Sequence, residues 1–244
     1  MFKLFRNIRQ NLINQGKTTK YLKYAIGEII LVVIGILIAL QINNWNELRK
    51  SQNEELNLLA DIKSNLVVTL KDLQQDTLGN SKYLRHYLKI EYYINNNLPY
   101  NEELDSAFAC LTFWYSPYIT TTAYNTLESK GLDLIKNEAL KNDIVNMYEV
   151  KLKTLMVDYD KSEWELSQTV VVPFFSKHIR RLHEESLFQA RPNDFESLKT
   201  NDEFLNILSM IIRQRKRGFE FYSEAMNDVH QLIDQIDKEL ISRQ

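Results

Sequence analysis

The sequence predicts an all-α protein: one N-terminal transmembrane helix followed by an extracytoplasmic bundle of long antiparallel helices. Three observations lead there. Residues 25–42 contain only four side chains outside the apolar set, Gly27, Glu28, Gly35 and Gln41. Six Gly and four Pro in 244 residues leave few places for turns, so the elements must be long. The polar remainder carries apolar residues at steps of three and four over most of its length. The chain therefore reads as a cytoplasmic basic leader (1–20), a transmembrane helix (21–46) and an exported helical domain (47–244).

The leader places Phe2, Phe5, Ile8, Leu12 and Ile13 at helical spacing between Lys3, Arg6 and Arg9. That is a basic amphipathic helix, suited to an anionic inner leaflet or serving only to orient the chain. Residues 25–42 at about 1.5 Å per residue span roughly 27 Å, close to the hydrocarbon thickness. Tyr21 and Tyr24 mark one membrane interface and Trp45 the other, where amphipathic rings sit at headgroup level. Six of the chain's 30 basic residues precede residue 24 with no acid among them, so the rest carries 24 bases against 32 acids. The cationic end should stay in the cytoplasm, leaving the acidic remainder outside a bacterial inner membrane, in the periplasm. With no small-x-small cleavage site in "IALQINNW", the helix reads as an uncleaved signal anchor.

Within the span, Gly27, Leu31, Gly35 and Ala39 recur every four residues, a mostly small stripe that lets two membrane helices approach closely. Glu28 lies beside it, about one turn inside the membrane. It reads either as an intramembrane contact or as a carboxylate hydrated near the headgroups. After Trp45 the helical pattern persists through Leu56, Leu59, Ile62, Leu66, Leu70 and Leu73 and on to Ile94, so the membrane helix continues outward as a stalk. "NNNLPYNEE" breaks it. A helix is expected over 102–115, another ending before Gly131, a long one from Asn137 to about Val172 stopped or kinked at Pro173, renewed helix over 179–187, and a final coiled-coil-like helix from Glu203 to Ser242 whose stripe is interrupted chiefly at Arg215.

"KTTKYLKYAIGEIILVVIGILIALQINNWNE" resembles the N-terminal signature of a family of uncharacterised bacterial single-span membrane proteins, defined only as a domain of unknown function. The likeness covers residues 1–50, including Gly27, Glu28, Gly35, Asn43, Asn44 and Trp45. It extends more loosely to "TAYNTLESKGLDLIKNEALKNDIVNMY", Thr122 to Tyr148. The resemblance implies a membrane protein of similar layout and brings no activity with it.

Chemistry has little support in the pattern. His178 and His183 are five apart, off the four-residue spacing that aligns zinc ligands on a helix, while His86 and His230 stand alone, so no metal site is expected. Asp158, Asp160, Glu163 and Glu165 lack the glycine and spacing of a calcium loop and read as a solvated face. "RQRKRG", Arg213 to Gly218, reads as internal pairing with those acids rather than a nucleic-acid surface. Cys110 in "SAFACLTFWY" reads as core packing. Without a nucleophile elbow or a glycine-rich phosphate loop, neither an enzyme nor a cofactor is expected.

Two functions remain open. In the first, the bundle is a non-enzymatic interaction module of unknown specific role, meeting another membrane protein or a second copy, with the bilayer as its other partner. In the second, it senses a small molecule near Trp114, Tyr118, Thr122 and Tyr124, where hydroxyl-rich turns sit among aromatics, and signals through a membrane partner. Capping and core packing explain the same four residues without a ligand.

Overall fold

A computed structural model describes residues 18–182 and 187–243. Residues 1–17 of the leader, His183 and the side chains of Tyr21 and Tyr24 lie outside the described residues. The chain divides at residue 55 into two compact units, Met1–Glu55 and Leu56–Gln244.

Helix α1, Thr18–Asn95, contributes to both units and is unbroken for 78 residues. In the first unit its large aliphatic residues, from Leu22 and Ile26 to Leu40 and Ile42, are exposed. An 18-residue stretch there has mean hydropathy 2.6 with none of it buried, so this helix is long and apolar enough to span a membrane. The Trp45 ring lies exposed with the Arg49 guanidinium 5.4 Å from its centre.

In the second unit, α1 ends at Asn95 and Asn97 turns the chain with φ +49°, a conformation Asn tolerates. The expected helix over 102–115 is instead a 3-10 turn Glu102–Leu104, a short α2 (Asp105–Ala109) and a second 3-10 turn Cys110–Thr112. Extended chain follows as far as α3 (Thr122–Lys130). Gly131, at φ +100°, closes α3 where a side chain would be strained. After the 3-10 turn Leu132–Leu134, the Asn137 side chain caps α4 (Glu138–Asn146) by accepting from the Leu140 amide.

The helical run begun by α4 continues to residue 178 as α5 (Leu152–Thr154), α6 (Lys161–Leu166) and α7 (Val172–His178), joined by π-helical turns Met147–Lys151, Leu155–Asp160 and Ser167–Val171. Its buried positions explain the alternation. Leu155, Tyr159, Glu163, Ser167 and Val171 recur every four residues. In a regular α-helix four residues overshoot one turn by about 40°, so such a stripe would wind away from its partner. The looser i→i+5 turns wind it back, and one face stays buried over the whole run. Pro173 falls in the first turn of α7 directly after a π turn, so it neither ends nor interrupts the run.

Two expectations fail beyond that point. The described part of the stretch expected as renewed helix over 179–187 is not helical: β1 (Ile179–Arg181) pairs antiparallel with β2 (Ala190–Pro192), Arg180 opposite Arg191. The reason is tertiary, because Arg191 reaches Asp105 on α2 through Nε (3.0 Å) and Nη2 (2.7 Å) and holds β2 in place. Residues 189–202, "QARPNDFESLKTND", which the sequence offers as a polar connection, hold β2 and α8 (Phe195–Leu198), whose Phe195 and Leu198 are core residues.

The last helix, α9 (Asp202–Ser242), runs for 41 residues. Residues 63, 76 and 80 of α1 bond to 237, 222 and 215 of α9, so these two stretches are antiparallel. Residues 151 and 162 likewise meet 228 and 214, so the run 138–178 is also antiparallel to α9. Apolar clusters fill the space between, one around Phe108, Phe174 and Phe204, another around Leu59, Ile62, Leu127, Ile144 and Ile236. A smaller cluster of Leu73, Leu155, Tyr159, Tyr222 and Ala225 carries the polar centre described next.

Candidate functional site: a buried arginine clamp

Arg215 is the largest fully buried side chain, 2 % exposed. It occupies a stripe position of α9, where the 3.6-residue repeat drives it inward whatever its polarity. The elements around it supply acceptors for both terminal nitrogens of the guanidinium, while Nε is buried without a partner among the described residues. Nη1 donates to Asn80 Oδ1 of α1 (2.5 Å) and to the Tyr159 hydroxyl of the π turn (3.1 Å). Nη2 donates to the Phe113 carbonyl (3.3 Å). Glu163, itself 4 % exposed, lies 3.5 Å from Nη1 as counter-ion. That distance is an ion-pair contact without hydrogen-bond geometry, and Glu163 Oε1 has no hydrogen-bond partner among the described residues.

The clamp holds residues 113–115, the start of an extended strap ahead of α3. Asn80 takes the Tyr115 peptide from both sides, accepting from its N–H at 2.9 Å and donating Nδ2 to its carbonyl at 3.0 Å. The Tyr87 hydroxyl faces the Phe113 carbonyl at 2.8 Å and the Cys110 carbonyl at 3.0 Å. The Tyr222 hydroxyl donates to the Tyr115 carbonyl at 3.1 Å and lies 3.5 Å from Asp76 Oδ2. Trp114 Nε1 donates to Asp160 (3.0 Å), and its ring meets Trp164 edge-on at 6.2 Å. Two glycines permit this closeness. A Cβ on Gly79 would overlap the Tyr115 ring, and one on Gly218 would overlap the Tyr159 ring.

The electrostatics follow from burial. Desolvation pushes the Glu163 carboxyl above the usual glutamate range, against the Arg215 charge and a Tyr159 hydrogen bond that pull it down. Burial likewise raises the phenols of Tyr87, Tyr159 and Tyr222, so they stay protonated as donors. Asp76 is lifted to about 6, first by burial and then by Asp72 and Asp160, with the Tyr222 hydrogen bond opposing. Chemically the arrangement is a positioning device: its donors and acceptors are directed at each other and at the strap.

The acids expected to form one solvated face are therefore divided. Glu163 is buried against Arg215 and Asp160 receives Trp114, while Glu165 stays exposed near Lys161 at 3.8 Å. Of the basic run, Arg215 pairs internally with that acidic cluster. Arg213, Lys216 and Arg217 line a groove of 620 Å³ shared with Glu91 and Glu220. Cys110 is buried in the core. Among the described residues, no group of three or more His, Cys, Asp or Glu is placed to hold a metal.

The four aromatic and hydroxyl residues named from the sequence are not brought together. Trp114 and its strap neighbours are tied to the clamp, Tyr118 is 72 % exposed and Thr122 begins α3. Tyr124 is buried, stacked on Tyr148 at 4.5 Å, and both line a groove of 230 Å³ with Ile119, Thr121, Leu152 and Met156. The Tyr148 hydroxyl is buried there without a partner. Gly27, Gly35 and Ala39 are exposed, a Cβ on either glycine would meet nothing within 4 Å, and Glu28 is half-buried.

Nothing in the sequence pattern sets Asp76 or Asn80 apart, and Tyr87, Tyr159 and Tyr222 fall at helical stripe positions like their apolar neighbours. The available signal was Arg215 at a core position of α9 and Glu163 at a four-residue step from Tyr159. A polar side chain on a stripe is buried by the helix that carries it, so its partners must come from the neighbours.

No curated protein and no solved structure matches the chain. The sequence model of a family of unknown function, DUF6090, matches residues 28–206, so it takes in all but the first three residues of the apolar stretch 25–42, the strap and the clamp residues other than Arg215 and Tyr222, and the chain belongs to that family.

Proposed function

We propose that this protein is a single-pass anchored module that acts without catalysis, through contacts with another membrane protein or with a second copy of itself. Residues 21–46 would cross a bacterial cytoplasmic membrane as a signal anchor with the leader inside, and the antiparallel helices of 47–244 would form a bundle outside. The observation that carries this reading is the 18-residue apolar stretch of mean hydropathy 2.6 with none of it buried. So much exposed hydrocarbon requires lipid or a partner to cover it. The clamp supports a non-catalytic role, because Arg215, Asn80 and Tyr222 are occupied by the backbone carbonyls of the strap. The experiment is purification of the intact protein in mild detergent with its mass measured and co-purifying proteins identified, beside a chain lacking residues 1–46. A stoichiometric partner or a defined self-oligomer, lost in the shortened chain, is the expected result. A monodisperse monomer without companions overturns the reading.

A second reading, a small-molecule sensor acting through a membrane partner, is favoured by the buried, unpartnered Tyr148 hydroxyl beside the Tyr124 groove. Thermal-shift screening of the intact protein against a metabolite panel tests it: a compound that stabilises the native chain but not Tyr148→Phe supports it, and equal shifts in both sink it.

A further inference from the structure

We propose that Asp76 is a proton switch on the strap of residues 113–118: protonation of its carboxyl completes a hydrogen-bond relay, from Asp76 to Tyr222 to the Tyr115 carbonyl, that fastens the strap to α1 and α9. The reasoning starts from proton counting. The Tyr222 phenol has one proton and two acceptors, the Tyr115 carbonyl at 3.1 Å and Asp76 Oδ2 at 3.5 Å. An ionised Asp76 can only accept, so it draws the phenol proton away from the carbonyl. A protonated Asp76 donates to the phenol oxygen instead, and the phenol proton is then committed to Tyr115. The same carbonyl already accepts from Asn80 Nδ2 at 3.0 Å, which fills its second lone pair. No atom has to move far for the exchange, because both acceptors already lie within reach of one hydroxyl.

The charges around Asp76 favour the protonated form. Asp72 faces it from one turn earlier on α1, and Asp160 faces it from the π turn Leu155–Asp160. On α9 stands Tyr222 itself, with Arg215 acting on that phenol from below. Burial comes first, the two carboxylates add to it, and together they raise the group from 3.8 to about 6 against the opposing Tyr222 bond. Asp160 is also the acceptor for Trp114 of the strap, so proton binding at Asp76 relieves repulsion on the strap's other anchor. The sign follows. The folded chain keeps this proton at pH values where the unfolded chain has released it. Its contribution is fully present below about 3.8 and is lost as the pH rises through about 6, so acidification from neutral pH tightens the strap.

The strap offers an output surface, since Tyr115 and Tyr118 stand 43 % and 72 % exposed on it. The inference concerns the second unit alone and does not depend on the chain's placement in a membrane. It is tested by hydrogen–deuterium exchange mass spectrometry of the intact protein in mild detergent from pH 5 to 8, with exchange times scaled for the intrinsic pH dependence, reading peptides that cover 113–118. In the native protein, exchange there should slow several-fold on acidification with a midpoint near 6. Asp76→Asn, a neutral donor of the same shape, should show the slow acid-form exchange at every pH. Asp72→Asn should keep the transition and move its midpoint lower, a prediction that stands even if Asp76→Asn fails to fold. Tyr222→Phe should exchange fast with no transition. An unchanged transition in Asp76→Asn, no transition in the native protein, or an Asp72→Asn midpoint that does not fall would each overturn the switch.

Discussion

The two units use glycine in opposite ways. In the apolar part of α1, a Cβ on Gly27 or Gly35 would meet nothing within 4 Å, whereas in the second unit a Cβ on Gly79 or Gly218 would run into a tyrosine ring. One pair lies on a surface with no neighbour in its own unit, and the other is a slot already filled by Tyr115 and Tyr159. The polar groups divide in the same sense. In the second unit a buried charge is answered by Asn80, Tyr159 and Glu163 from other elements, while the apolar helix presents its side chains outward. The difference teaches where each unit's specificity resides: the second is specified by contacts within the chain, and the first by whatever surrounds it.

The most severe way to break the second unit is Arg215→Ala. It strands the Glu163 carboxylate in the core and leaves the Phe113 carbonyl to the Tyr87 hydroxyl alone, and loss of one partner of a buried ion pair typically costs about 3–5 kcal/mol. Urea unfolding should show that loss. The double change Arg215→Met with Glu163→Leu should recover most of it, since two apolar groups of similar volume leave no orphaned charge. Gly218→Ala comes next. The new methyl must displace the Tyr159 ring, and overpacking of this kind costs about 1–3 kcal/mol. The same urea titration should place its midpoint between those of the native protein and Arg215→Ala.

Smaller effects sharpen the contrast. Tyr148→Phe removes a buried hydroxyl that has no partner, so the variant should be as stable as the native protein or more stable, by up to about 1 kcal/mol. A clear destabilisation would mean that the hydroxyl is satisfied in solution. Gly35→Leu meets open space and should leave the unfolding of the second unit unchanged within about 0.5 kcal/mol. If the small stripe packs two membrane helices, as the proposed function allows, the same variant should still shift the oligomer distribution measured by analytical ultracentrifugation in mild detergent. An unchanged distribution would remove the stripe from the interface.

Much of this architecture was legible from residues alone. The unbroken α1, the break after Asn95, the stop at Gly131 and the long terminal helix all follow from local rules, since apolar spacing, a glycine that accepts positive φ and a cluster of turn formers each act within a few residues. The run 138–178 was legible as a helix but not in its phase. From the sequence, Leu166 and Val170 continue the stripe; in the structure they are half-buried against the core and Glu163, Ser167 and Val171 are the fully buried positions. The π turns accompany that shift. The hairpin of β1 and β2 was misread because Arg191 is anchored by Asp105, 86 positions away in the chain. The clamp was half legible: Arg215 stood out as an interruption, yet Asn80 and Asp76 looked like ordinary polar residues of a stalk.

What the sequence by itself determined is the all-α class, the exposed apolar segment and the order and lengths of the principal helices, because hydrophobic periodicity and turn chemistry are properties of neighbouring residues. What only the tertiary structure decided is which polar residues meet. Arg215, Glu163, Asn80 and Tyr222 lie on three separated stretches of chain, and nothing local to any of them specifies the others. Their meeting is set by the register of α1 and of the run 138–178 against α9, a sum of many side-chain packings that the folded chain settles at once.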